Sequence, residues 1–252
     1  MATKREKQLE VALKEANLQL AKTHLRAFEA AKESRRTQGW YTRNGGPNAD
    51  IRQAWSLLVR RHQDLVDSNP WASRAVQVIT NNWVSDGIIG SPVGGSRRYA
   101  DAWNEWADSV ECDFHGKLNW YGLQALICRT VAVRGSCLIR RRMDDTLASM
   151  GMAPLRLQVM EPDMLDFGKD DGSRIKFGKQ YAENGRLEGY WIRTNHPGET
   201  EWNGIRIDSE FVPASEILHT YEVRRPNQAI GVPFGAPILL HLRDIDDITT
   251  AM

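Results

Sequence analysis

The chain has 252 residues, with 33 basic and 32 acidic side chains and a formal net charge of +1. That length is enough for one large domain or two smaller ones with a real core, and the near-balance of charge argues against a monomer that grips nucleic acid by bulk charge. No apolar run approaches the ~18 residues of a membrane span, and the charged N-terminus lacks the apolar stretch of a signal peptide.

Residues Lys4 to Arg36 contain no glycine or proline and read as a charged helix. Its thin apolar stripe is Val11, Leu18 and Leu25, flanked by Ala21 and Phe28. A stripe that thin marks a solvated helix or an arm that packs elsewhere. Turn residues from Gln38 to Asp50 form a linker, and Asp50 with Gln53 reads as a relaxed capping box. Trp55, Leu58, Leu65 and Val66 supply the buried face of the helix that follows.

That helix breaks at Asp67-Ser68-Asn69-Pro70. Asn69 is an N-cap whose side-chain oxygen can accept an orphan amide of the next turn, and Pro70 suits the first helical position. Ala72, Ala75, Val76, Ile79 and Trp83 then share one helical face, and Gly87 ends the run. The pattern predicts a helix–turn–helix corner. Gly87 to Ser96 is a glycine-rich loop without the Gly-Lys-Ser/Thr ending of a phosphate loop. Ser96 is expected to cap a helix carrying Tyr99, Ala102, Trp103, Trp106, Ala107 and Val110. Asn119 is expected to cap another, bearing Leu123, Ile127, Thr130 and Val131 and closed by Gly135.

Beyond Gly135 the period becomes strand-like. Cys137-Leu138-Ile139 runs extended into Arg140-Arg141-Arg142, and Leu155, Leu157 and Val159 alternate until Glu161-Pro162-Asp163 breaks the strand. Asn184-Gly185 predicts a type I′ hairpin pairing Tyr181 with Glu188, Lys179 with Tyr190 and Phe177 with Ile192. Extended chain is expected again at Gly204 to Ile207 and Ile217 to Tyr221. A final helix from Pro237 places Leu239, Leu242, Ile245 and Ile248 on one side, and its uncapped end reads as a chain cut short.

No catalytic constellation emerges from these elements. Asp163, Asp166, Asp170 and Asp171 fail the calcium-loop pattern, since Gly168 and Asp171 stand where a ligand and a glycine are needed, and a hairpin turn around Asp171-Gly172 is expected instead. Cys112 and His115 are half of a zinc pattern with no second pair. Cys112, Cys128 and Cys137 lack C-x-x-C spacing and fit a reducing compartment, where Cys128 and Cys137 behave as small buried hydrophobes. There is no G-x-S-x-G or H-E-x-x-H, and no cofactor is implied. Basic clusters occur at Arg60-Arg61, Arg97-Arg98, Arg140-Arg141-Arg142 and Arg224-Arg225. Their choices are phosphate contact without base reading, inter-subunit salt bridges, or plain solvation.

The order of several short blocks carries more than any single one. They include AAKESRRTQGW ending at Trp40, Gln63-Asp64-Leu65-Val66 with Ser68-Asn69-Pro70, Gly135-Ser136, and Leu157-Gln158-Val159-Met160-Glu161-Pro162-Asp163. Asn184-Gly185-Arg186, Tyr190-Trp191-Ile192, His196-Pro197, Val212-Pro213-Ala214, Arg225-Pro226 and Gly231-Val232-Pro233 follow. In this order the chain resembles the lambda-type portal proteins of tailed bacteriophages. It departs from them at His62, Asp67 and Ala229-Ile230, and members hold about another arm of structure of similar size.

The resemblance implies an α+β portal fold with five segments. These are a charged helical arm (1–36), a helical wing (37–117), a first stem helix and its exit (118–142), a β-rich clip (143–232) and the start of a returning stem helix (233–252). It implies a homo-oligomeric, dodecameric ring at one capsid vertex of the virion, assembled in the host cytoplasm, with double-stranded DNA passing through it without sequence reading. The implied partners are the terminase large subunit, head–tail joining proteins, and capsid and scaffold proteins, with no membrane involved. Arg140, Arg141, Arg142, Arg224 and Arg225 become candidate contacts to DNA or to neighbouring subunits, and Trp40 and Trp202 candidate interface residues. Asn69, Pro70 and Gly87 become a scaffold corner, and Asn184 and Gly185 a hairpin turn. Two other readings compete: a nuclease or ATPase of the packaging system, and a truncated, non-assembling prophage remnant.

Overall fold

Ser136–Met143 (β1) is the strand that joins two of the three buried clusters of this chain. In the computed structural model, which describes residues 4–25, 34–42, 44–90, 97–200 and 208–251, β1 lies between Leu155–Met160 (β2) and Ile217–Tyr221 (β7), antiparallel to both. Successive side chains of a strand point to opposite faces, and here both faces are covered. Leu138 enters one core with Met160 and Ile217, while Cys137 and Ile139 enter another with Leu157. Burial on both sides explains why Ser136 to Ile139 reads as a continuous run, with no alternation until the arginines.

A second sheet, Ile175–Lys176 (β3), Lys179–Tyr181 (β4), Leu187–Arg193 (β5) and Ser209–Pro213 (β6), is antiparallel in the order β3-β4-β5-β6. Tyr190, Ile192 and Val212 bring it into the Leu138 core, which Trp55 and Val59 of Pro47–Ser68 (α2) complete. Trp55 is fully enclosed because its indole N–H donates to the Gly231 carbonyl at 3.0 Å, leaving no unpaired polar atom. Arg97–Asp108 (α4) and Trp120–Arg134 (α5) build the Cys137 core with Trp106, Ala107, Leu123 and Val131. Pro70–Val84 (α3) packs Ala72 and Val76 on Val66, Ala132 and Val133 in a third cluster. Each large apolar side chain buried this way contributes roughly 1.5–3 kcal/mol.

Lys4–Leu25 (α1) belongs to a separate unit, Met1–Gly45, while Gly46–Met252 forms one compact unit. The second unit also contains two short helices, Asp145–Ser149 (α6) and Pro197–Thr200 (α7), and the last helix, Leu239–Ala251 (α8). The architecture is α+β, as expected. Within this unit α2 shares one core with residues of both sheets.

Several local expectations hold. Asn69 caps α3, its Oδ1 accepting from the amides of Trp71 at 2.9 Å and Ala72 at 3.0 Å, with Pro70 as the first helical residue. Asn119 caps α5 through Gly122, and Gly135 closes it in the left-handed region. At Asp171-Gly172 the chain bends, with Asp171 Oδ1 accepting from the amides of Ser173 and Ile175, but the nearby hairpin turn lies at Phe177-Gly178, between β3 and β4.

Others need correction. α2 starts three residues before Asp50, at Pro47, with Gly46 as N-cap, so no Asp50–Gln53 capping box forms. The buried face of α2 is Trp55, Val59, His62 and Val66, with Leu58 and Leu65 only half-buried. α3 ends at Val84, not at Gly87, because Ser85 itself takes a positive φ of 51°. Gly87 still needs to be glycine: its φ is +106°, and a Cβ there would meet Tyr121 Cδ1 at 2.4 Å.

The Asn184-Gly185 turn is not type I′, since Gly185 but not Asn184 has a positive φ. Gly185 N–H donates to the Ala182 carbonyl, and a bulge shifts Tyr181 onto Leu187, while Lys179 keeps its expected partner Tyr190. A type I turn closed by a left-handed glycine produces this geometry. Phe177 does not pair with Ile192. It sits at φ 53° in the tight β3–β4 turn, though its ring still reaches the same core. Ser34 to Gly39 forms turns instead of continuing the first helix. The expected features at Phe28, Ser96, Trp202 and Gly204 to Ile207 lie outside the described residues.

Candidate functional site

The five arginines singled out from the sequence all have acceptors within this chain. Arg140 extends from β1 to two carboxylates, Nη1 lying 2.5 Å from Glu210 Oε1 and Nη2 3.3 Å from Glu216 Oε2. It thereby ties β1 of one sheet to β6 of the other. Arg141 donates to the Ser215 carbonyl. Arg142 donates to Gln158 Oε1 at 3.1 Å and lies over the Phe114 ring. Arg224 pairs with Glu222 at 2.7 Å, and Arg225 with Asp50 at 3.2 Å. The Arg140 side chain is 12% exposed, so it is an internal tie; Arg141, Arg224 and Arg225 are exposed. Asn184 and Gly185 are exposed at a hairpin tip, while Asn69, Pro70 and Gly87 hold the α2–α3 corner and its exit. Trp40 is 65% exposed.

Two further charged sites, one of ion pairs and one buried, were not anticipated. At the end of α5, Arg134 lies 2.9 Å from Glu161 and 3.6 Å from Asp163, and His196 Nε2 lies 3.2 Å from Glu161 Oε2. Among the described residues, Glu161, Asp163 and His196 are the one group whose ligand atoms converge within 4.8 Å. The Arg134 guanidinium already supplies positive charge there, and a divalent ion would stand against it. The arrangement is an ion-pair knot that anchors α5 to the turn after β2. Arg156 makes a similar tie, to Glu111 at 2.5 Å and Asp144 at 2.7 Å. Hydrogen bonds from Thr146 and Arg156 hold the Asp144 carboxyl down to about 2.

The second group is buried where the sheets meet. Lys179 is 3% exposed, and its Nζ donates to the Ala229 carbonyl at 2.5 Å. The ammonium faces the rings of Tyr221 at 4.9 Å and Tyr190 at 5.8 Å. Burial brings its pKa down to about 7. Beside it, both ring nitrogens of His219 are shielded from water and lack a partner, and burial, helped by Lys179, keeps the imidazole neutral well below its usual range. The phenols follow the same logic, with burial pushing Tyr181 up to about 12. His62 is also a core residue, bonded through Nδ1 to the Val133 carbonyl at 2.9 Å, and burial lowers its pKa.

The cysteines are free, and burial raises Cys112 to about 11 and Cys137 to about 12. Such thiols stay protonated and do not act as ready nucleophiles or metal ligands. Cys112 and His115 belong to no converging ligand group among the described residues. A sequence signal did exist for Lys179: strand period places it on the face of Phe177 and Tyr181, and it pairs with Tyr190. The ion pairs of Arg134, Arg140 and Arg156 join residues far apart in sequence and leave no local pattern.

Comparison with known proteins gives two matches. The family described as phage portal protein, lambda family, matches residues 33–252. A "Probable portal protein" of Halomonas phage phiHAP-1 is 25% identical over 248 residues, covering 88% of this chain and 46% of the relative. The chain therefore spans about half the length of the curated relative it matches.

Proposed function

This chain belongs to the lambda family of phage portal proteins, and on that premise we propose that it is a structural subunit of the ring through which viral DNA is packaged and ejected at one capsid vertex. The observation that carries the reading is the family match, which takes in the whole compact unit from Gly46 onward. In this reading the ring has about a dozen copies joined by heterologous, head-to-tail contacts. The terminase large subunit docks on it during packaging, and head–tail joining proteins replace the motor afterwards. Capsid and scaffold proteins surround it, and assembly takes place in the host cytoplasm.

Electrostatics support this role. A channel must let DNA slide, and each phosphate neutralised by a protein cation adds affinity that hinders sliding. A net charge of +1 and arginines held by internal acceptors suit sliding better than a bare cationic lining. The exposed Arg141, Arg224 and Arg225 are the better candidates for weak DNA or subunit contact, and Arg140 for an internal tie.

Of the two helices assigned by resemblance to the stem, α8 is the better candidate. Ile245 and Ile248 are exposed on it, whereas α5 buries its own Leu123, Gln124, Val131, Ala132 and Val133. No catalysis is assigned to the chain; ATP hydrolysis or metal-dependent DNA cleavage by the purified protein would instead favour a packaging enzyme.

Immunogold labelling of mature particles tests the proposal. Label confined to one vertex, at the tail junction, is expected; label spread over the capsid, or absent from particles, refutes it.

A further inference from the structure

A cleft of about 630 Å³ opens beside the β4–β5 hairpin and the chain that follows β7. Its lining contains three cationic side chains, Arg174, Lys176 and Lys179, and one acidic side chain, Glu183. Tyr181 and Tyr221 contribute ring surface. That size lies within the range of small-molecule sites, which are typically roughly 300–1,000 Å³ with a few placed polar groups.

The cations are unequally placed. Arg174 is half exposed; its Nε donates to the Tyr181 carbonyl at 3.3 Å, and its one carboxylate contact among the described residues is a long ion pair, 3.8 Å to Glu188. Lys176 is half-buried and has no hydrogen-bond or ion-pair partner among the described residues. Lys179 is enclosed, with one carbonyl acceptor and two ring faces, and no carboxylate lies within ion-pair distance among the described residues. Burying a charge without a counter-charge costs several kcal/mol. The neighbouring His219 offers no compensation, because its shielded nitrogens are themselves unpaired.

We propose that this cleft binds a small phosphate-bearing ligand, with Lys179 as the buried counter-charge and Lys176 and Arg174 at the mouth. Three cations at separate positions suit a multiply charged oxyanion better than a single carboxylate. A free ligand also fits better than the backbone of a duplex. Duplex phosphates are met by side chains that project from a surface, and a lysine that is 3% exposed inside a cleft does not project.

Calorimetric titration of the purified chain with pyrophosphate, against sodium chloride at matched ionic strength, tests the site. One saturable site per chain is expected. Lys176→Ala, a half-buried change that leaves the core intact, is expected to weaken binding about tenfold, and Lys179→Met at least as much, with circular dichroism unchanged. No saturable binding, or wild-type affinity in the Lys176→Ala variant, overturns the proposal whether or not the Lys179 variant folds. A short DNA duplex that competes fully with pyrophosphate also overturns it, since the site would then be a nucleic-acid contact.

Discussion

Asn69→Ala is expected to weaken the α2–α3 corner by about 2 kcal/mol. The side chain is 1% exposed, its Oδ1 accepts two amides at the start of α3, and its Nδ2 reaches the Leu242 carbonyl of α8 at 3.4 Å. Losing an N-cap costs typically ~1 kcal/mol, and losing the Nδ2 bond to the Leu242 carbonyl and leaving a small void adds roughly another 1 kcal/mol. With a urea slope of about 2–3 kcal/mol/M, the unfolding midpoint should fall by roughly 0.7–1 M. Asn69→Ser separates the two roles, because serine still caps but does not reach Leu242. It should recover about half of the loss. An alanine variant within about 0.5 kcal/mol of wild type, well inside the expected cost of a lost cap, would refute the reasoning. So would serine and alanine variants of equal stability, since the cap would then contribute nothing.

Lys179→Met tests the buried ammonium through pH. The folded pKa, lowered from 10.5 to about 7, means that the unfolded chain holds more protons between those values. Wild-type stability should therefore climb as pH rises through that window, by up to ~1.4 kcal/mol per pH unit. Urea unfolding should find the methionine variant more stable at pH 7, with the gap narrowing toward pH 10. Gly231→Ala should leave little soluble protein on expression, because the new Cβ would lie 1.8 Å from the Gly135 carbonyl oxygen, where backbone meets backbone. Arg140→Met should lower stability in urea by about 1–2 kcal/mol, since it breaks the tie between the sheets but both carboxylates keep solvent access. DNA affinity, measured by fluorescence anisotropy, should stay unchanged in that variant.

Much of the fold was legible where a single local rule decides. Asn69-Pro70, Asn119 and Gly135 each combine a cap or stop residue with a helical apolar face, and each cap or stop appears in the structure as read, although Ala75 and Trp83 of the expected α3 face are exposed. Leu155 to Met160 declared itself by alternation. Failures came where tertiary contacts override the local rule. The hairpin at Asn184-Gly185 chose a bulged turn, and Tyr181 moved by one register. β6 has a single fully buried residue, Val212, too little apolar content to mark a strand. The candidate arginines were visible as clusters, but apart from Arg224, which pairs with nearby Glu222, their acceptors lie farther away along the chain, as Glu210 and Glu216 do from Arg140. Lys179 was legible by strand parity, yet a lysine among Phe177, Tyr181 and Tyr190 reads as surface until the turn after β7 covers it.

The central claim is that this chain is a ring subunit of a portal, and its mass in solution tests that most directly. Native mass spectrometry of the purified protein, with electron microscopy of the same sample, should show a closed ring of about a dozen copies around an open centre. A stable monomer at every concentration tested would contradict the account and favour a non-assembling remnant.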